Sequence, residues 1–267
     1  MTDIKKKITE ANRIAWNEVM PRHQAVRKEY WDQKFTQKGF YLQTDPELFE
    51  LLEIGIKNKS IVHLSCNNGV ELLSLKNLGA FYCLGLDISD TAIQEANERA
   101  GKCGIDCSFL RSDVYEVPES YYNQFDLAYI TIGTLTWLPD LQEYFRVVSN
   151  LVRKQGCIFI YEQHPLTYIL ADPEDINHKP TEIIRDYFDK EPTVYTESLD
   201  YLGETSYEAS PHYEYMHSLS SIINNIIQAG FTIYKFLEYP KDISMGFKQI
   251  EDGYIHLPLS YILIAKK

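Results

Sequence analysis

Three short segments carry residues whose types and spacing could hold a polar ligand close to the backbone. Leu64-Ser65-Cys66-Asn67-Asn68-Gly69 closes an apolar run with small residues and opens a helix-like stretch. Such a turn lets the backbone approach a ligand, and the free N–H groups of the next helix suit a carboxylate or phosphate. Leu86-Asp87-Ile88 follows, with Asp87 eighteen residues after Gly69. A carboxylate there can accept hydrogen bonds from both hydroxyls of a ribose. The third segment is Arg111-Ser112-Asp113-Val114, whose acid can accept from an adenine amino group. A dinucleotide loop requires G-x-G-x-x-G to admit a pyrophosphate. Here Ser65 and Asn67 stand where two of those glycines would be, and only Gly69 remains, so the loop suits a ligand without a pyrophosphate.

The elements that must position these loops are readable from periodicity. Apolar runs at Ile61 to Cys66, Phe81 to Leu86, Cys107 to Leu110, Phe125 to Ile132 and Cys157 to Tyr161 predict strands. Helices are predicted between them at Val70 to Leu78, from Ser89 or Asp90 onward, and at Leu141 to Val152. Alternation at this spacing predicts right-handed βαβ units and a parallel sheet, with ligands outside the carboxyl ends of the strands. The pattern breaks at Pro165. A helix at Ser218 to Ala229 and strands at Phe231 to Tyr239 and Leu259 to Ala265 then complete seven strands. Ahead of the sheet, Ile8 to Trp31 reads as helical with a break at Pro21.

Composition narrows the classes. Of 267 residues 45% are hydrophobic, enough for one sizeable core with an appendage. No run of eighteen apolar residues occurs, so no membrane span is expected. Lys5, Lys6 and Lys7 have no apolar stretch behind them, so no secretory signal is expected and a cytoplasmic location follows. Five cysteines at irregular spacing argue against a disulfide framework and against a zinc or other metal site. A net charge of −12 disfavours nucleic acid as a partner. Residues 165–215 hold twelve acids and three bases, whereas residues 1–40 hold nine bases and five acids. That asymmetry reads either as solvated surface or as two segments that touch and close over a pocket.

The order Val62-His63-Leu64-Ser65-Cys66-Asn67-Asn68-Gly69, Gly85-Leu86-Asp87, Ser112-Asp113-Val114 and Phe125-Asp126-Leu127-Ala128-Tyr129 resembles the class I S-adenosylmethionine-dependent methyltransferases over roughly residues 55–165. His63-Leu64-x-Cys66, Trp137-Leu138-Pro139-Asp140-Leu141, Glu162-x-His164-Pro165 and Glu238-Tyr239-Pro240 resemble a bacterial subfamily of methyltransferases that act on small molecules. The resemblance implies an α/β, Rossmann-like, mostly parallel seven-stranded sheet with helices on both faces. It divides the chain into an N-terminal helical arm (1–45), a cofactor-binding core (46–164), an inserted lid after strand five (165–215) and a C-terminal part of the core (216–267).

The resemblance also implies roles. Ser65, Cys66, Asn67 and Gly69 would pass under the methionine part of S-adenosylmethionine, Asp87 would hold the ribose with Ile88 on the adenine, and Asp113 and Val114 would read the adenine edge. Thr131 would lie near the sulfonium, and S-adenosylhomocysteine would be the product. Side chains at Ser65 and Asn67, where the family commonly has glycine, would crowd the methionine moiety. A small-molecule acceptor would sit among Trp16, Trp31 and Trp137, since aromatic faces favour cations; the competing reading is ordinary helix packing. If the nucleophile must lose a proton, His164 is the first candidate base, with Tyr30, Glu162 and Tyr129 behind it. For His164 the competing reading is a ring hydrogen-bonded beside Pro165. The tyrosines of the insert, among them Tyr195, Tyr201, Tyr207, Tyr213 and Tyr215, fall partly at strand-like alternation and predict a small antiparallel lid. The acidic balance favours a neutral or cationic acceptor. The alternatives are a nicotinamide-dependent oxidoreductase on a related fold and a non-catalytic protein that binds S-adenosylmethionine.

Overall fold

The computed structural model describes residues 3–171, 177–203, 205–244, 246–253 and 256–267. Residues 172–176 and 204 of the expected insert, with its Pro173, lie outside them. Seven strands form the main sheet: β1 (Ser60–Leu64), β2 (Tyr82–Asp87), β3 (Ser108–Arg111), β4 (Phe125–Thr131), β5 (Val152–Gln163), β8 (Thr232–Tyr239) and β9 (Ser260–Lys266). Two more, β6 (Thr193–Tyr195) and β7 (His212–Glu214), pair antiparallel in the insert.

The sheet order is β3-β2-β1-β4-β5-β9-β8. β9 runs antiparallel between β5 and β8, and the other pairings are parallel. The chain steps outward one way from β1 and the other way from β4, so a crevice opens beyond their carboxyl ends. Every residue of β4 is buried, which its unbroken run Phe125-Asp126-Leu127-Ala128-Tyr129-Ile130-Thr131 requires between two helical layers. Alternate residues feed two cores. Val62, Leu64, Ala128, Ile130, Ile158 and Ile160 pack under α5 (Leu141–Leu151) and α6 (Leu219–Gln228). Ile61, Leu127, Tyr129 and Phe159 pack under α2 (Glu47–Ile54) and α3 (Val70–Asn77).

Two expectations need correction, and a third, the tyrosine-bearing antiparallel strands of the insert, is met in part. Residues 3–35 form one continuous helix, α1 (Asp3–Phe35), with Pro21 inside it. Proline removes a single N–H, the one that would donate to the Asn17 carbonyl, and the buried face Ala15-Val19-Met20-His23 runs straight through the site. Packing thus outweighs the local cost. β5 is also longer than Cys157 to Tyr161, because pairing with β4 already begins at Val152. In the insert only Tyr195 and Tyr213 lie on paired strands, whereas Tyr201, Tyr207 and Tyr215 lie outside them.

Glycine is required where Phe109 packs against the first two strands and their turn. A Cβ on Gly85 would lie 2.5 Å from the Phe109 ring and 2.7 Å from Cys66 Sγ, and one on Gly69 would lie 2.6 Å from the same ring. Gly101, in α4 (Asp90–Cys103), has nothing within 4 Å of that position. Urea unfolding is therefore expected to show Gly85→Ala destabilising by roughly 1–3 kcal/mol through overpacking. Gly101→Ala should instead stabilise by about 0.5–1 kcal/mol through helix propensity.

Candidate functional site

A cavity of about 550 Å³ occupies the crevice beyond β1, β2 and β4. Its floor is the turn after β1. Ser65 (φ 57°), Asn67 (φ 47°) and Gly69 (φ 77°) all take left-handed backbone, so the chain adopts a glycine-like path with side chains present at two of the three positions. Hydrogen bonds hold it there. Cys66 N donates to the Leu86 carbonyl (2.9 Å), Gly69 N to the Cys66 carbonyl (2.9 Å), and Asn67 N to Asp87 Oδ2 (2.8 Å).

From below, the turn is gripped by Arg99, a fully buried arginine on α4. Its guanidinium donates to the Asn68 carbonyl (2.8 Å), to Asp32 Oδ1 on α1 (3.0 Å) and to Glu95 Oε1. Asn68 Nδ2 also donates to Glu95 (3.1 Å).

Asp87 Oδ1 accepts from Ser89 N (2.8 Å), Oδ2 accepts from Asn67 N, and the Ile88 N–H also acts on the carboxylate, with acceptor capacity left for a hydroxyl of a vicinal diol. Burial raises its pKa, and these N–H groups oppose the shift. Ser112 N donates to the Asp87 carbonyl (2.9 Å), and Tyr115 N donates to Asp113 Oδ1 (3.0 Å), so the second and third segments are joined. Thr131 Oγ1 lies 3.1 Å from His63 Nε2 and donates to Glu71 Oε2 (3.2 Å). Burial holds the Glu71 carboxyl up at about 7 and His63 down at about 3, so the imidazole is neutral.

The roof comes from α1 and the insert. Thr9, Asn12, Trp16, His23, Arg27 and Trp31 lie on one face of α1 and line the cavity. Trp16 meets Trp137 edge-on, with centroids 5.3 Å apart. Asn12 exchanges hydrogen bonds with the Tyr213 backbone (2.7 and 3.0 Å), and Glu18 accepts from Ser210 Oγ (2.5 Å) and N (2.9 Å). His23 Nε2 is 3.6 Å from Asp200 Oδ1, and the Arg22 guanidinium lies 3.8 Å from the Tyr207 ring centroid. The basic arm and the acidic insert do touch, through hydrogen bonds of Asn12 and the Glu18 carboxylate and through ring contacts of His23 and Arg22. Asn17 fixes α1 to the start of α4, accepting from Ser89 Oγ (2.7 Å) and donating to Asp90 (2.9 Å).

Of the residues singled out from the sequence, Ser65, Asn67, Asp87, Ile88, Asp113, Val114, Thr131, Trp16, Trp31 and Trp137 line this one cavity. Four others do not. Cys66 is buried beneath the turn, against Gly85. Gly69 faces the Phe109 ring. Tyr30 is on the outer side of α1, 52% exposed. His164 caps the 3₁₀ turn Pro165–Ile169: Nδ1 accepts from Leu166 N (3.1 Å) and Nε2 lies 3.1 Å from Glu238 Oε1. Both ring nitrogens are thus engaged away from the cavity.

The remaining base candidates have structural partners as well. Glu162 accepts from the N–H groups of Gly133 (2.7 Å), Thr134 (3.1 Å), Leu135 (3.3 Å) and Gln163 (2.9 Å), fixing the loop after β4. Tyr129 donates to Glu47 inside the sheet core.

Residues not singled out also line the cavity, including Asn12, His23, Arg27, Glu71, Gln163 and Glu214. Burial lowers the His23 pKa, opposed by Asp200 and the Leu199 backbone. For Glu71 a signal existed, an acid two positions past Gly69; His23 meets Asp200, 177 residues on, and Glu214 sits on β7, which packs against α1.

Residues 56–199 match the model of a family described as a methyltransferase domain. A ubiquinone biosynthesis O-methyltransferase from Salmonella paratyphi A is 25% identical over 151 residues, covering 56% of this chain and 61% of that protein. The chain therefore spans less than two thirds of that relative's length. Among solved structures, an S-adenosylmethionine-dependent methyltransferase from Mesorhizobium loti superposes with a TM-score of 0.60 at 22% identity, over 83% of this chain and 97% of that one. A geranyl diphosphate C-methyltransferase from Streptomyces coelicolor, solved with S-adenosylhomocysteine, gives 0.57 at 12% identity, over 82% and 74%. At these identities the two superpositions show a common fold.

Two measurements probe the site's supports. Among the described residues, Arg99→Leu removes the only cation on the buried Glu95 carboxylate, which keeps just Asn68 Nδ2, while Asp32 keeps Lys28 and Lys102 (both 3.1 Å); it is expected to cost roughly 3 kcal/mol in urea unfolding, and a loss near zero contradicts the network. Glu47 is buried and its carboxyl is pushed up to about 8 from an ordinary 4.5. The folded state therefore keeps a proton that the unfolded state has released, and stability drains away as pH rises from 4.5 through about 8. Glu47→Gln should flatten that decline in pH-dependent unfolding, and an unchanged slope would contradict it.

Proposed function

The chain belongs to the methyltransferase family whose domain model its residues 56–199 match, and from that premise we propose that it is an S-adenosylmethionine-dependent methyltransferase acting on an O, N or S atom of a small molecule. The observation that carries this reading is the convergence of Asp87, Asp113 and the left-handed turn at Ser65–Gly69 on one cavity of about 550 Å³. That volume lies within the usual range for small-ligand sites.

The residues present fit the cofactor. Asp87 keeps acceptor capacity for the ribose hydroxyls, Ile88 and Val114 offer apolar sides for the adenine, and Asp113 offers an acceptor for its amino group. Ser65 and Asn67 would lie against the methionine part, and Glu71, held by Thr131, offers a carboxylate to its cationic groups. When bound, S-adenosylmethionine supplies an electrophilic methyl group on a good leaving group, so the protein's own task is alignment. Trp16, Trp31 and Trp137 would orient the acceptor, while α1 and the insert exclude water. Positioning of this kind can supply about 7–11 kcal/mol of rate enhancement in favourable cases.

A small acceptor is supported by the roof. The six cavity-lining residues of α1, together with Leu199, Tyr201 and Leu202 of the insert, cover the crevice where a polymer would need an open groove. The net charge of −12 also disfavours nucleic acid.

Isothermal calorimetry tests the reading. S-adenosylmethionine and S-adenosylhomocysteine should bind with micromolar affinity, and NAD should not bind measurably. Asp87→Ala should lose about 3 kcal/mol of binding, roughly a hundredfold, from two charge-assisted hydrogen bonds. Binding of NAD in preference to S-adenosylmethionine would overturn it.

A further inference from the structure

The wall of the cavity formed by β7 carries a carboxylate that the cofactor does not need. Glu214 ends β7 and lines the cavity, and among the described residues no hydrogen bond or ion pair engages its side chain. Burial raises its pKa, and Arg185 acts against that shift. The titratable groups facing it are Arg185, Tyr168 and Tyr195. Arg185 is exposed, so water and salt screen its charge.

The rest of the lining has the same bias. Among the described residues its carboxylates are Glu71, Asp87, Asp113 and Glu214, its one permanent cation is Arg27, and burial disfavours charge on His23. Asp87 and Asp113 serve the adenosine in the reading above, and Glu71 is already held by Thr131 beside the turn. Glu214 is left, on the same side of the cavity as the aromatic pair Trp16 and Trp137: β7 packs against both α1 and the 3₁₀ turn that carries Trp137.

A half-buried carboxylate without a partner carries part of a charge's desolvation cost, and a ligand cation offsets it. Aromatic faces attract the same kind of group. An anionic ligand would meet like charge, and a neutral one would leave the carboxylate unpaired. We infer that Glu214 selects the methyl acceptor, and that the acceptor is an organic ammonium whose apolar body lies against Trp16 and Trp137. This rests on the methyltransferase reading, because it treats the lining left over from the cofactor as the acceptor lobe.

Three probes of similar shape test it on protein saturated with S-adenosylhomocysteine: phenethylamine, 2-phenylethanol and phenylacetate, each titrated by calorimetry. Phenethylamine should bind at least roughly tenfold tighter than 2-phenylethanol, and phenylacetate more weakly still. Glu214→Gln should abolish the preference for the amine while S-adenosylhomocysteine affinity and Tm stay as in the wild type. Equal binding of all three, a preference for the alcohol or the acid, an undiminished amine preference in the variant, or no amine binding to protein that takes up S-adenosylhomocysteine would each overturn the inference. Failure of S-adenosylhomocysteine itself to bind would overturn the reading beneath it and this inference with it, and the cofactor titration that precedes each probe separates the two failures.

Discussion

The guanidinium of Arg99 is the interaction on which the rest of the site depends. It is fully buried, yet it reaches three separate pieces of chain: the Asn68 carbonyl of the turn after β1, Asp32 of α1 and Glu95 of its own helix. A buried cation is expensive to desolvate, and two carboxylates and a carbonyl are the kind of surroundings that offset the cost. The geometry matters more than the net energy. A planar fork of donors sets the turn at a fixed height relative to α1, so the floor and roof of the cavity are registered to each other through one side chain.

The two halves of the cavity are built differently. On the side of Asp87 and Asp113, backbone N–H groups and short side chains do the holding: Asp87 is fixed by Asn67 and Ser89, and Asp113 by Tyr115. Such contacts leave little freedom to drift. On the opposite side the wall is assembled from long side chains on α1 and the insert, with rings in sequence from Tyr201 to His23 to Trp16 to Trp137 to His212. The ties between these elements run through Asn12, Glu18 and His23 to residues about 180–200 positions away.

How much of this was legible in the sequence follows from range. The sheet could be read because parallel strands buried on both faces leave unbroken apolar runs, as at Phe125 to Thr131, and Asp87 and Asp113 were legible because each ends such a run. The N-terminal helix was legible as a helix, but its continuity through Pro21 was not, since the compensation comes from a buried face that packs on elements distant in the chain. His164 looked chemical because it follows a strand end; its ring nitrogens face Leu166 N and Glu238, and the latter lies 74 residues on in the chain. Arg99 had a local signal, a charge beside the apolar stripe of Ile93, Ala96 and Ala100, but its partners at 32 and 68 belong to other elements. Hydrophobic periodicity reports burial and is blind to which distant polar group meets a buried charge.

The central claim is that the turn at residues 65–69, Asp87, Asp113 and the inner face of α1 surround one ligand. Hydrogen–deuterium exchange with and without S-adenosylhomocysteine tests it most directly. Added ligand should slow exchange together in the segments around 65–70, 87–92 and 113–115 and along α1, with little change in α6 or β8. Protection confined to other parts of the chain, or no protection in the turn and α1 at saturating ligand, would contradict the account.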